Sequence, residues 1–250
     1  MFRIVIPARY ASSRLPGKPL AAIAGKPMIE WVYERARATR AREIVIATDD
    51  ARIETVARGF GAAVMMTAAE HASGTDRIAE VAARCGWAND EVVVNLQGDE
   101  PNLPAELVEQ VAELLLAHPR AALATLATPV LSREEYLDPN AVKVVTDLQG
   151  RALYFSRAPI PWDRDHPEGG EGYRSARRHL GLYAYRVGAL LQLAAAAPAP
   201  LEEIEKLEQL RALAHGMEIR VADALRRPGP DVNTAEDLAR AAAALAASKD

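Results

Sequence analysis

The chain has 250 residues, half of them apolar, with 30 lysines and arginines against 34 acids and a formal net charge of −4. That profile supplies material for one large α/β domain or two small ones, and it excludes a general nucleic-acid binder, whose footprint would be basic. A single cysteine, Cys85, excludes an internal disulfide and points to a reducing cytoplasm, and no apolar run approaches the roughly 18 residues of a membrane span.

The first predicted element is a strand, Phe2–Ile6, short, apolar and rich in β-branched residues; its start at residue 2 leaves no room for a secretory signal. It stops at Pro7 and opens into a loop bearing Arg9, Ser12, Ser13, Arg14, Gly17 and Lys18. A strand that ends in a small, basic, glycine-containing loop is one way an α/β protein cradles polyphosphate, because backbone N–H groups form a concavity and cations neutralise charge. The spacing is not that of a Walker A loop, since Lys18 is followed by Pro19. A solvated basic loop is the plainer reading of such a stretch taken alone.

Helical patterns follow near Met28–Arg40, Ala51–Arg58, Asp76–Cys85 and Pro104–His118, alternating with strands at Glu43–Ala47, Ala62–Met66, Val92–Asn95 and Ala122–Ala127. Such alternation predicts a mostly parallel sheet with ligands outside the carboxyl ends of its strands. Three polar motifs fall at those ends: Arg9 to Lys18, Asp49-Asp50, and Gln97-Gly98-Asp99-Glu100. A carboxylate just past a strand, preceded by glycine, suits a Mg²⁺ ligand, although an isolated Gly-Asp more often marks a turn. His71 to Arg77 is a polar loop opening a helix, able to hold a base or sugar or simply to cap.

Beyond residue 130 the pattern changes to short strands, Val142–Thr146 and Leu153–Phe155, joined at Asp147-Leu148-Gln149-Gly150. Asp163–Ser175 reads as an exposed loop, His179–Val187 as a strand, Ile204–His215 as one helix ended by Gly216, and Glu218–Ala222 as a strand. A last helix starts at Thr234, with Asp237 in the capping-box position. The whole reads as one domain over residues 1–250, with a smaller antiparallel lobe near 131–190. Arg157 and the Arg177-Arg178-His179 cluster are excess cations in an acidic chain, and Arg and His converging on a cleft would suit an anionic acceptor.

The run Ile6 to Leu20, with Ser73-Gly-Thr-Asp-Arg77, Val94 to Pro101, Asn140 to Val145, Ala152 to Arg157, Ile160 to Asp165, Arg178 to Arg186 and Leu201 to Arg211, resembles the 3-deoxy-manno-octulosonate (Kdo) cytidylyltransferases from end to end. That resemblance implies a Rossmann-like, mostly parallel sheet flanked by helices, of the nucleotide-diphospho-sugar transferase type, in a cytoplasmic homodimer paired through the smaller lobe. It implies transfer of CMP from CTP to Kdo with release of pyrophosphate, for lipopolysaccharide assembly, with Mg²⁺ as cofactor and neither nucleic acid nor membrane as partner. By the same likeness Arg9, Ser12 and Lys18 would hold the CTP phosphates, with Lys18 and Asp99 catalytic, and Gly74 and Arg77 would sit near the nucleotide. Gln97, Arg157, His179, Tyr185, Glu208 and Gln209 would line the Kdo pocket, and Asp99 would bind the metal. The family's ending Val-Asp-Thr-Pro-Glu-Asp-Leu is here Val232-Asn233-Thr234-Ala235-Glu236-Asp237-Leu238, so the second metal oxygen falls to Asn233 or to Asp231. A related acid sugar as acceptor, 8-amino-Kdo or a sialic acid, or a catalytically silent nucleotide-binding paralogue, are the alternatives.

Overall fold

The computed structural model describes residues 1–11, 15–166, 171–229, 231–232 and 234–247. The N-terminal half alternates strand and helix as the apolar periodicity demands. It runs β1 (Phe2–Ala8), the two-residue strands β2 (Ala22–Ile23) and β3 (Lys26–Pro27), α1 (Met28–Arg37), β4 (Glu43–Thr48), α2 (Ala51–Gly59), β5 (Ala63–Met66), α3 (Gly74–Arg84), β6 (Val92–Asn95), α4 (Ala105–Leu116) and β7 (Leu123–Pro129). Then come α5 (Arg133–Leu137), β8 (Lys143–Thr146), β9 (Ala152–Ser156), β10 (Arg177–Arg186), α6 (Val187–Ala195), α7 (Pro200–Glu205), α8 (Gln209–Ala214), β11 (Ile219–Asp223) and α9 (Ala235–Ala247).

The main sheet has the order β11-β7-β10-β6-β1-β4-β5. Along that order the pairings are parallel except where β10 runs antiparallel to β6 and β7. Alternation along β1 shows why both faces must be covered. Phe2, Ile4 and Ile6 join one core with α1, α2 and α4, while Val5 joins the other with α3, α6 and α8. Each fully buried aliphatic side chain stabilises by about 1.5–3 kcal/mol, so neither helix layer is dispensable.

Local chemistry sets the helix starts. Asp50 accepts from the backbone N–H of Arg52 at 2.9 Å, and Ser73 and Asp76 form a reciprocal capping box at the head of α3. The expected box at the last helix is also present, with Asp237 accepting from the Thr234 N–H at 2.8 Å. Among the described residues no helix is long and apolar enough to cross a membrane.

One expected strand is present in an unforeseen place, and one expected helix is broken. The strand expected at His179–Val187 is the central antiparallel strand β10, wedged between β6 and β7; the antiparallel hairpin β8–β9 leans on its outer end within the same sheet. The helix expected over Ile204–His215 is two short helices, broken where Lys206 adopts φ 53°. The cause is tertiary: Glu205 accepts from the Ser156 hydroxyl at 2.6 Å and from the Arg157 N–H at 2.9 Å, anchors that override helical periodicity. Of the expected exposed loop 163–175, residues 167–170 lie outside the described set, and Glu171–Ser175 form a short 3₁₀ turn.

Candidate active site

The parallel register brings the carboxyl ends of β1, β4 and β6 side by side, with Ala8 opposite Thr48 and Val5 opposite Asn95. The basic loop after β1 closes on itself. Gly17 takes φ +70°, donates its N–H to the Tyr10 carbonyl at 3.0 Å, and would carry any Cβ into the Tyr10 ring. That turn aims Lys18 inward. Its Nζ donates to Asp99 Oδ2 at 2.6 Å and to the Val232 carbonyl at 2.9 Å, and the Val232 N–H donates to the Asp99 carbonyl at 3.0 Å. Three segments far apart in sequence, the first loop, the turn after β6 and the C-terminal stretch, therefore meet at one ion pair.

Gly98 allows this approach, since a Cβ there would lie 2.9 Å from the Pro7 carbonyl. Gly74, first residue of α3, packs on the Pro7 ring and would carry a Cβ 4.0 Å from Gln97 Oε1. Arg9 is exposed on the same loop; Ser12 and Asn233, expected on the phosphates and the metal, lie outside the described residues.

Beside this charged edge lies a cavity of about 300 Å³. Gln97, His179, Tyr185, Glu208 and Gln209 all line it. The break at Lys206 is what carries Glu208 and Gln209 to its wall, because α8 restarts in a new direction. Its chemistry is mostly uncharged. Burial lowers the His179 ring to about 3, so the imidazole is neutral, and its Nε2 lies 3.0 Å from the Thr125 hydroxyl. Burial also raises the Tyr185 hydroxyl and the Glu208 carboxyl, which is hydrogen-bonded to Thr75. Asn95 Oδ1, Tyr183 Oη and Gln209 Nε2 are buried without a protein partner. Such atoms are costly unless something else satisfies them.

Two arginines, Arg77 expected near the nucleotide and Arg157 expected in the Kdo pocket, are engaged by the protein itself. Arg77 is buried, its guanidinium bonded to Thr67 and, at 3.0 Å, to Asp49; it ties the ends of β4 and β5 together. Arg157 turns its guanidinium to the carbonyls of Glu205 at 2.6 Å and Pro139 at 2.9 Å, so it holds the α7–α8 elbow. Among the described residues Arg178 lines the cavity, its guanidinium donating to Glu135 Oε1 at 3.1 Å. Sequence reading missed Lys143, fully buried in β8, whose Nζ donates to the carbonyls of Asp138 at 2.9 Å and Arg157 at 2.8 Å. A lysine between two strand valines carries no signal of such a role.

For a divalent cation the carboxylates at hand would be Asp99 and Asp231, the latter raised by crowding that excludes water and then by the Asp99 charge. Glu100 Oε2 is buried nearby without a protein partner. Among the described residues no three acidic, His or Cys side chains are close enough to cage a metal. A Mg²⁺ that shares its shell with phosphates needs only one or two protein oxygens, so this set fits one.

The cytidylyltransferase family model matches residues 3–219. A 3-deoxy-manno-octulosonate cytidylyltransferase of Thioalkalivibrio sulfidiphilus is 56% identical over 241 residues, 96% of each chain. One of Halorhodospira halophila is 54% identical, covering 99% of this chain and 98% of that one. The solved structure of CMP:2-keto-3-deoxy-manno-octonic acid synthetase complexed with CTP superposes with a TM-score of 0.91 at 40% identity, over 99% of this chain and 100% of that one. A basic loop locked to an acidic turn at the carboxyl edge of a parallel sheet, a neutral cavity beside it and likeness over the full length lead to one assignment: the chain belongs to the cytidylyltransferase family, among the 3-deoxy-manno-octulosonate cytidylyltransferases.

Proposed function

We propose that the chain transfers CMP from CTP to the anomeric 2-hydroxyl of Kdo, releasing pyrophosphate, and so activates Kdo for lipopolysaccharide assembly in the cytoplasm. The observation that carries this reading is the meeting of Lys18, Asp99 and Val232 beside a cavity where Asn95, Tyr183 and Gln209 each hold a buried polar atom without a protein partner. The difficulty of the reaction is electrostatic. Kdo carries a carboxylate and CTP several negative charges, and like unit charges 4 Å apart repel by about 4 kcal/mol at an effective dielectric of 20. Lys18 and Arg9 neutralise the triphosphate. Across the cavity a neutral His179 and a Glu208 biased toward its neutral form keep further charge away from the acid sugar, and Arg178 faces its carboxylate.

Positioning does the rest. Gln209, Asn95 and Tyr183 give the sugar hydroxyls the partners those buried atoms lack, so that the 2-hydroxyl oxygen points at the α-phosphorus for in-line displacement. Asp99 and Asp231 would hold Mg²⁺, which when bound lowers the pKa of the attacking hydroxyl and offsets charge on the leaving pyrophosphate. A homodimer is supported by Leu131, Leu137 and Trp162, which are exposed on the 131–163 segment.

The test is pyrophosphate release from purified protein with Mg²⁺ and each of CTP, ATP, GTP and UTP, with and without Kdo. Release requiring both CTP and Kdo is the expected result. CTP binding without Kdo-dependent release would leave the fold and overturn the acceptor.

A further inference from the structure

The cavity beside β10 does not end at His179. A second chamber, about 460 Å³, lies next to the first and has Arg178, His179, Gly181 and Asp231 in common with it. In the second chamber Thr128 Oγ1 and Glu100 Oε2 are buried without protein partners, so both chambers offer polar atoms to a ligand.

Gly181 stands at the junction, and the backbone does not require a glycine there. Its φ lies outside the left-handed region, and a Cβ would meet nothing within 4 Å. It is the one exposed residue of a ten-residue strand otherwise buried or partly buried. A central strand prefers a β-branched or aromatic side chain, so glycine costs stability here without any conformational need. The strand bulges at this point, its register against β7 slipping between Leu180 and Tyr183. Thr125, fully buried, bonds the carbonyls of Leu180 at 2.9 Å and Leu182 at 2.8 Å and so fixes the bulge from beneath. The bulge brings the His179 and Tyr183 rings to 5.2 Å, leaving the glycine gap along an aromatic wall.

We propose that Gly181 is a specificity-determining position of the acceptor site. Its missing side chain opens the floor between the chambers so that the acid-sugar ring lies against the strand backbone. The polyol then extends among Gln209, Asn95 and Tyr183, with the carboxylate at Arg178 on the junction. This rests on the acceptor reading given above and names the surface that fits it.

The test compares Gly181→Ala and Gly181→Val with the wild type, by KM for Kdo, KM for CTP and Tm. Added methyl groups in a filled pocket discriminate by roughly 10- to 200-fold, so KM for Kdo should rise at least about tenfold in Gly181→Val and less in Gly181→Ala. KM for CTP should not change, and Tm should hold or increase. An unchanged KM for Kdo in Gly181→Val overturns the proposal, as does an equal rise for both substrates with a lowered Tm. Wild-type protein without Kdo-dependent pyrophosphate release overturns the acceptor reading itself, and that is seen before any variant is made.

Discussion

The two sides of this site are built on opposite principles. At the sheet edge, charges are already paired before any ligand arrives: Lys18 sits on Asp99 at 2.6 Å, and Arg52 lies over the Tyr10 ring. In the neighbouring cavity charge is suppressed and hydrogen-bonding atoms are left open, as with His179, Gln209 and Tyr183. The difference matches the ligands. A polyphosphate is recognised by a field that any charge of the right sign senses, whereas a sugar is recognised atom by atom, through groups whose desolvation only the correct partner offsets.

The contrast can be broken first at its charged side. Asp99→Ala should lower kcat by at least about 10³-fold even at high Mg²⁺, since it removes both the partner of Lys18 and the main metal oxygen; near-normal kcat would detach Asp99 from the chemistry. Lys18→Met should cost about 10²-fold in kcat/KM, the scale of a lost electrostatic donor. Steady-state kinetics with CTP varied reads this directly, and an unchanged value would leave the loop structural.

The neutral side is tested by pH. The folded His179 value of about 3 lies below its ordinary 6.5, so the folded state binds fewer protons there. The stability held by the neutral ring is complete above pH 6.5 and is lost as pH falls, by about 1–2 kcal/mol between pH 6.5 and 5. Glu208 and Asp231, both raised, act in the opposite direction, so the useful readout is the difference in denaturation free energy between wild type and His179→Asn. That difference should shrink as pH falls. The smallest expected effect is at Gln209, whose Nε2 is buried without a protein partner: Gln209→Leu should raise KM for Kdo about tenfold, the value of one hydrogen bond to a substrate.

Much of this was legible in the chain. The strand–helix alternation gave away the parallel sheet, and polar motifs at three strand ends marked the edge where the loops now meet. The hairpin turn was readable from Gly150, which takes φ +77° with its Cβ position 2.9 Å from the Val221 carbonyl. What periodicity could not show were breaks imposed from elsewhere in the fold. Nothing in Ile204 to His215 announces that Glu205 is held by Ser156 and Arg157. Cations are similarly silent about direction. Arg77, Arg157 and Arg178 look alike in sequence, yet one braces two strands, one holds an elbow and one, at the cavity wall, is paired with Glu135.

The most direct test of this division of labour is a crossed measurement of KM for CTP and KM for Kdo in Lys18→Met and Gln209→Leu. The account predicts that Lys18→Met raises KM for CTP and leaves Kdo nearly unchanged, while Gln209→Leu does the reverse. Variants that each weaken both substrates equally would contradict it, and would make the charged edge and the neutral cavity a single undivided site.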